Sequence, residues 1–136
     1  LTTLLLEQKN KNQQSIVFVK TQRASTEIAR YLEKQNFLSA PLHAGLKQKL
    51  RDKTLADFRI NNLQILVATD LASRGLDIPA VKCVINYELP QNPEEYVHRI
   101  GRTGRYNNKG IAYTLIARAD RNDWKKIKEF LSKEFN

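Results

Sequence analysis

One cysteine, no methionine, two histidines and five glycines are all that these 136 residues hold of those types. With Cys83 alone, no disulfide can form within the chain. Its apolar setting, VKCVIN, marks a buried, unreactive thiol in a reduced compartment. Cys83 with only His43 and His98 makes no metal site. No stretch approaches the ~18 unbroken apolar residues of a membrane-crossing helix, and the start carries no signal-peptide pattern. Two kinds of nucleotide motif are also missing. There is no GxxxxGK(S/T) phosphate loop with its acidic Mg2+ partner after an apolar strand, and no GxGxxG of a dinucleotide fold.

What is present is positive charge. Lysine and arginine number 23 against 14 acids, giving +9 and a pI near 9.8. That balance calls for a polyanion, either nucleic acid or an acidic membrane surface. No amphipathic segment shows the aromatic face of an interfacial helix, which favours nucleic acid. A 41% hydrophobic content over 136 residues suits a single domain, 1–136, with a real core. The start at Leu1, directly in the amphipathic run LTTLLLEQ, suggests a piece of a longer protein.

Short apolar runs alternate with helical patterns. Strands are expected at Ser15–Val19, Ser39–Leu42, Gln64–Ala68, Lys82–Glu88 and Ile111–Ala117. Between them lie a helix capped by Thr21 and a helix over Lys47–Arg59 with Leu50, Leu55 and Phe58 inward. A further helix starts at Asn92-Pro93-Glu94-Glu95, with a cap, proline at the first position and acids in the first turn. A last helix covers Asp120–Phe135, with Trp124, Ile127, Phe130 and Leu131 on one side. Wholly apolar strands separated by helices predict an α/β domain: a mainly parallel sheet covered on both faces. Ligands of such sheets bind beyond the carboxyl ends of the strands. There the sequence places Lys20-Thr21, His43-Ala44-Gly45 and Thr69-Asp70.

The segment YVHRIGRTGR sets Arg99, Arg102 and Arg105 at intervals of three behind His98, with Gly101 and Gly104 between. Arginine's fixed fork matches phosphate oxygens two at a time. The glycines end the preceding helix near Gly101 to Gly104. The run ATDLASRGLDIP presents Thr69, whose hydroxyl and amide suit a phosphate, then Asp70 and Arg74, placed to pair with each other. Asp77 follows as an acceptor for sugar hydroxyls or as a turn residue. Gln48 and Arg51 share a face near a helix start, where anions are favoured. Phosphate ligands and arginines without a cradle or metal site are half of a nucleoside triphosphate site: the half that supplies arginine fingers from outside.

ATDLASRGLDIP with VINYELP, then YVHRIGRTGR, resembles the C-terminal RecA-like domain of DEAD-box ATP-dependent RNA helicases. SIVFVKTQ and HAGLKQKLRDKTLADFR agree in order and spacing. The resemblance implies that Arg102 and Arg105 reach the γ-phosphate of ATP held, with Mg2+, by an N-terminal RecA-like lobe. Arg99 would join them at the nucleotide, and Asp77 would contact the ribose. Thr21, Gly45, Gln48, Arg51 and Thr69 would grip the RNA backbone, with Asp70, Arg74 and His98 organising the loops. The chain departs from the family where Ala44 separates His43 from Gly45. The resemblance further implies an intracellular, cytoplasmic setting without membrane contact. It makes the isolated domain a monomer that hydrolyses no ATP by itself. A non-catalytic RNA-binding module and a lobe of a DNA-directed superfamily 2 helicase are the alternative readings. Arg102 and Arg105 beside Asp77 argue against the first, and VINYELP with the ARGLDIP-type segment against the second.

Overall fold

The computed structural model describes residues 1–74, 78–103 and 110–134. The chain runs α1 (Thr2–Asn10), β1 (Ser15–Val19), α2 (Gln22–Lys34), β2 (Ser39–Leu42), α3 (Gln48–Arg59) and β3 (Ile65–Thr69). A single turn, α4 (Asp70–Ser73), leads to β4 (Cys83–Asn86), α5 (Pro93–Ile100) and β5 (Ile111–Thr114). A 3-10 turn at Arg118–Asp120 precedes α6 (Arg121–Glu134). The strands form one sheet in the order β2-β3-β1-β4-β5, and every neighbouring pair is parallel.

Strand β1 shows why its sequence is apolar throughout. Successive side chains point to opposite faces. Ile16 and Phe18 meet Leu42, Leu55, Phe58 and Leu66 on one side. Val17 and Val19 meet Leu5, Ala29, Leu32 and Ile85 on the other. Both faces are covered, as the α/β expectation requires, and Cys83 is buried within the second layer. A third cluster joins α5 to α6: Leu89, Tyr96 and Ile127, with Trp124 packed edge-on to Tyr96 at 5.6 Å between ring centroids.

Strand β4 is shorter than the expected Lys82–Glu88, running Cys83–Asn86, and three further local expectations shift. Strand β3 runs one residue later, Ile65–Thr69, and the Gln64 side chain reaches the residue before β2, its Oε1 accepting the Leu38 N–H at 3.1 Å. Strand β5 stops at Thr114, after which Asp120 draws the chain into a turn by accepting the Ala117 N–H at 3.0 Å. Leu50 is not an inward residue of α3; it is 47% exposed. The buried face of that helix is Thr54, Leu55 and Phe58, and Leu50 lies about 80° round from Phe58 at 3.6 residues per turn.

The shortage of glycine is met by asparagine. Helices α1, α2 and α3 each run into an asparagine in the left-handed region: Asn12, Asn36 and Asn61, at φ 56°, 70° and 63°. The following N–H groups, of Gln13, Phe37 and Asn62, close back onto the carbonyls of Gln8, Leu32 and Asp57 at 2.8, 3.1 and 2.8 Å. This closure satisfies carbonyls that a helix end would otherwise leave open.

Candidate functional site

Four loops converge at the carboxyl edge of the sheet, one more than the sequence indicates. After β1, Thr21 caps α2, its hydroxyl accepting the Ala24 N–H at 3.1 Å. After β2 comes His43-Ala44-Gly45, and after β3 the chain turns at once into α4. After β4, Asn92 caps α5 by accepting the Glu95 N–H at 3.0 Å, with Pro93 in the first turn. Together they enclose a cavity of about 410 Å³. Lys20 and Gln22 line it from the first loop and Ala44 from the second. Thr69, Asp70, Leu71 and Arg74 line it from the third, and Gln91, Asn92 and Glu95 from the fourth. Hydroxyl, amide, ammonium and guanidinium groups dominate this wall, and among the described residues no aromatic ring lies in it. That inventory suits a sugar–phosphate backbone better than a stacked base.

The acids of this wall are neutralised from α5 and α4, in a pairing the sequence does not reveal. Asp70 does not pair with Arg74. Arg99 claims it instead, Nε and Nη2 donating to the two carboxylate oxygens at 2.6 and 2.8 Å. Arg74 pairs with Glu95, and His98 Nδ1 stands 3.9 Å from the other Glu95 oxygen. Sequence proximity favoured the Asp70–Arg74 pair, but the parallel sheet brings α5 across the end of β3. Arg99 itself is only 1% exposed. It also donates to the Glu88 carbonyl at 2.5 Å and lies over the Phe18 ring at 5.2 Å. Expected at the nucleotide, it is a buried brace whose described contacts are all internal.

Helix α5 ends at Ile100 with Gly101 as its cap residue, as the glycines foretell. Arg102 therefore sits in a turn. Its backbone carbonyl accepts the Val81 N–H at 2.9 Å, and its Nη2 donates to the Ser73 carbonyl at 3.3 Å. Thr103 fixes the same turn by donating to the Val81 carbonyl at 2.5 Å. Asp77 and Arg105 lie outside the described residues.

Of the five positions expected to hold a backbone, Thr69 lines the cavity and is buried at the end of β3. Thr21 and Gly45 border it through their neighbours Lys20, Gln22 and Ala44. Gln48 and Arg51 stand apart on the first turn of α3, where Arg51 Nη2 donates to Gln48 Oε1 at 2.7 Å. His43 shapes the loop beside them. Its Nδ1 accepts the Gly45 N–H at 3.1 Å, which leaves the ring proton on Nε2, 3.0 Å from Thr26 Oγ1. Burial holds the His43 pKa below its usual value.

Residues 1–107 match the helicase conserved C-terminal domain family. The chain is 48% identical over 102 residues to the DEAD-box ATP-dependent RNA helicase RhpA of Helicobacter pylori, covering 75% of this chain and 21% of that protein. The E. coli DEAD-box protein SrmB, solved bound to regulator of ribonuclease activity A, superposes with a TM-score of 0.86 at 32% identity, covering 95% of this chain and 76% of that one. The chain is a DEAD-box helicase C-terminal domain. A Saccharomyces cerevisiae Dbp5 variant bound to RNA and ADP BeF3 has the same fold, with a TM-score of 0.81 and 32% identity over 96% of this chain and 34% of that one. The DEAD-box domain described here spans 21% to 31% of the length of the curated relatives it matches.

Sequence reasoning missed Glu95, Gln91 and the supporting role of Arg99. Glu95 reads only as an acid favoured near a helix N-terminus. Its neighbours give no hint that it is 6% exposed. A long-range pairing such as Arg99–Asp70 leaves no trace in local periodicity. Of His98 and Arg99, close before the helix-ending glycine, Arg99 turns into the fold while His98 stays exposed, a difference their spacing does not signal.

Proposed function

We propose that the full-length protein is an ATP-dependent RNA helicase in which this DEAD-box domain supplies one wall of the RNA site and one side of the nucleotide site. The observation that carries this reading is the Arg99–Asp70 clasp, which fastens the loop lining the cavity to the helix that leads into Arg102. In this reading Thr21, Gly45, Gln48, Arg51 and Thr69 hold the RNA backbone without regard to base sequence. Arg102, Arg105 and Asp77 face the nucleotide. The acids of the cavity wall, Asp70 and Glu95, are both engaged by arginines. No cluster of three metal-ligating side chains occurs among the described residues. In this reading the N-terminal lobe would supply the Mg2+ ligands. When bound, ATP supplies the phosphoryl group whose transfer to water drives the cycle.

Arg102 rests on the Ser73 carbonyl. Turned onto a phosphate, its fork would meet charge that grows in the transition state, a role worth roughly 10³–10⁵ in rate. In the full-length protein, Arg102→Ala is expected to lower RNA-stimulated ATP hydrolysis by about that factor while most RNA binding survives. Unchanged turnover removes Arg102 from the finger role. The isolated 136-residue chain is expected to hydrolyse no ATP above background. Strong RNA-stimulated turnover by this domain alone contradicts the divided site.

A further inference from the structure

We infer that one exposed flank of α6 is a second polyanion-binding surface, which takes the backbone of RNA extending beyond the cleft. The inner face of α6 is committed to the fold: Ile127 is 2% exposed, and Trp124 and Leu131 pack against Tyr96 and Leu89 of the α5 region. On the exposed flank beside that inner face, Arg121, Lys125 and Lys128 fall within about 60° of one another at 3.6 residues per turn. They span about 10 Å along the axis. All three are exposed. Among the described residues none of them forms an ion pair.

The acids nearby do not neutralise this stripe. Asp120 is engaged in accepting the Ala117 N–H. Asp123 lies on the far side of the helix, about 160° or more from Lys125 and Arg121. Of the acids whose side chains are described, only Glu129 borders the stripe, and it follows Lys125 by four residues, the less favourable order for a helical pair. Arg121 and Lys125, four apart, repel each other within the helix. A face held only for helix stability or solubility gains by interspersing signs; this one accumulates a single sign beside an immobilised apolar back. Paired with the chain's charge of +9, the stripe fits a run of phosphates. Its contacts require no base, so they extend the grip on a strand without adding sequence preference.

The choice of RNA as the polyanion rests on the helicase reading above. The test uses the full-length protein and two synthetic single-stranded RNAs: a short one that only fills the cleft, and one extended by a single-stranded tail. The triple variant Arg121→Gln, Lys125→Gln, Lys128→Gln is expected to bind the extended RNA roughly tenfold more weakly at moderate salt. Its slope of log affinity against log salt should fall by about 2, from ~0.7 per neutralised phosphate on a single strand. Affinity for the short RNA, and the ATPase activity it stimulates, should stay as in the parent. Lys126→Gln, on the neighbouring face, should change neither. If the triple variant proves unstable, each single variant should lower the slope by about 0.7. Equal weakening of both RNAs, or of neither, overturns the inference. So does unaltered binding of the extended RNA together with lost binding to phosphatidylserine vesicles or to an acidic protein. A parent protein with no RNA-stimulated ATPase activity sinks the helicase reading instead, whatever the stripe does.

Discussion

Arg99 and Asp70, 29 residues apart in sequence, share a two-pronged ion pair at 2.6 and 2.8 Å, with the arginine buried to 1% exposure. A charge removed so fully from water persists because both prongs, the Glu88 carbonyl and the Phe18 ring meet it. Removing one partner strands the other. Arg99→Ala is expected to cost about 3–5 kcal/mol of stability, read as a shifted denaturant midpoint. The exposed pair Arg23–Glu27, also drawn together at 2.8 Å, provides the contrast: Arg23→Ala should leave the midpoint unchanged. A small effect at Arg99 contradicts its role as a brace.

Acidification should loosen the His43 loop. The folded protein keeps His43 neutral by burying it, so its folded pKa lies below the unfolded 6.5. The unfolded chain then binds the extra proton first. The stabilisation is fully present above the unfolded value and is lost as pH falls through the folded one. Protonation also places a hydrogen on Nδ1, opposite the Gly45 N–H. A ring titration followed by NMR should give a midpoint below 6.5. His43→Gln should flatten the fall of stability between neutral and mildly acidic pH.

Much of the architecture was legible. The strands at Ser15–Val19 and Ser39–Leu42 lie at their expected positions. Thr21 and Asn92 cap helices, because a cap is a local bargain between a side chain and an amide three residues on. What local pattern cannot carry is partner choice across the sheet. Asp70 had a cation four residues away and took another from a different helix. Leu50 had a plausible stripe and missed the core, because the strand beneath α3 decides where its inward face is centred.

The cap at Thr21 can be separated from its proposed contact with RNA. Thr21→Ala removes the acceptor for the Ala24 N–H and should cost about 1 kcal/mol. Thr21→Ser keeps the hydroxyl and should keep both stability and RNA affinity. If Thr21→Ala loses stability but no RNA affinity in the full-length protein, the residue is a cap and nothing more.

At Asn36, with φ of 70°, the left-handed backbone is a demand that few side chains meet. Asn36→Ala should lower stability by about 1 kcal/mol, while Asn36→Gly should be neutral or slightly stabilising. Thermal melts of the three proteins check the order, and equal melts would mean that the turn relaxes freely.

Gly45 faces the Gln22 side chain, and a methyl group there would collide with the amide end of Gln22. Because that end is flexible, Gly45→Ala should change stability by less than about 1 kcal/mol. The displaced amide would enter the cavity whose wall Gln22 forms. RNA affinity should therefore fall without a matching loss of fold, as titrations at fixed salt would report.

The outer edge of the sheet adds a consequence for how these molecules meet one another. β2 is an edge strand, and Pro41 sits within its four residues, in register with Val67. Proline has no N–H to offer, so a strand arriving from a second molecule would find a gap in the row of donors. Growth of the sheet from that side is disfavoured by the missing donor. The loop that follows, with His43 and Gly45, thus has a built-in guard against self-association along the edge that leads into it.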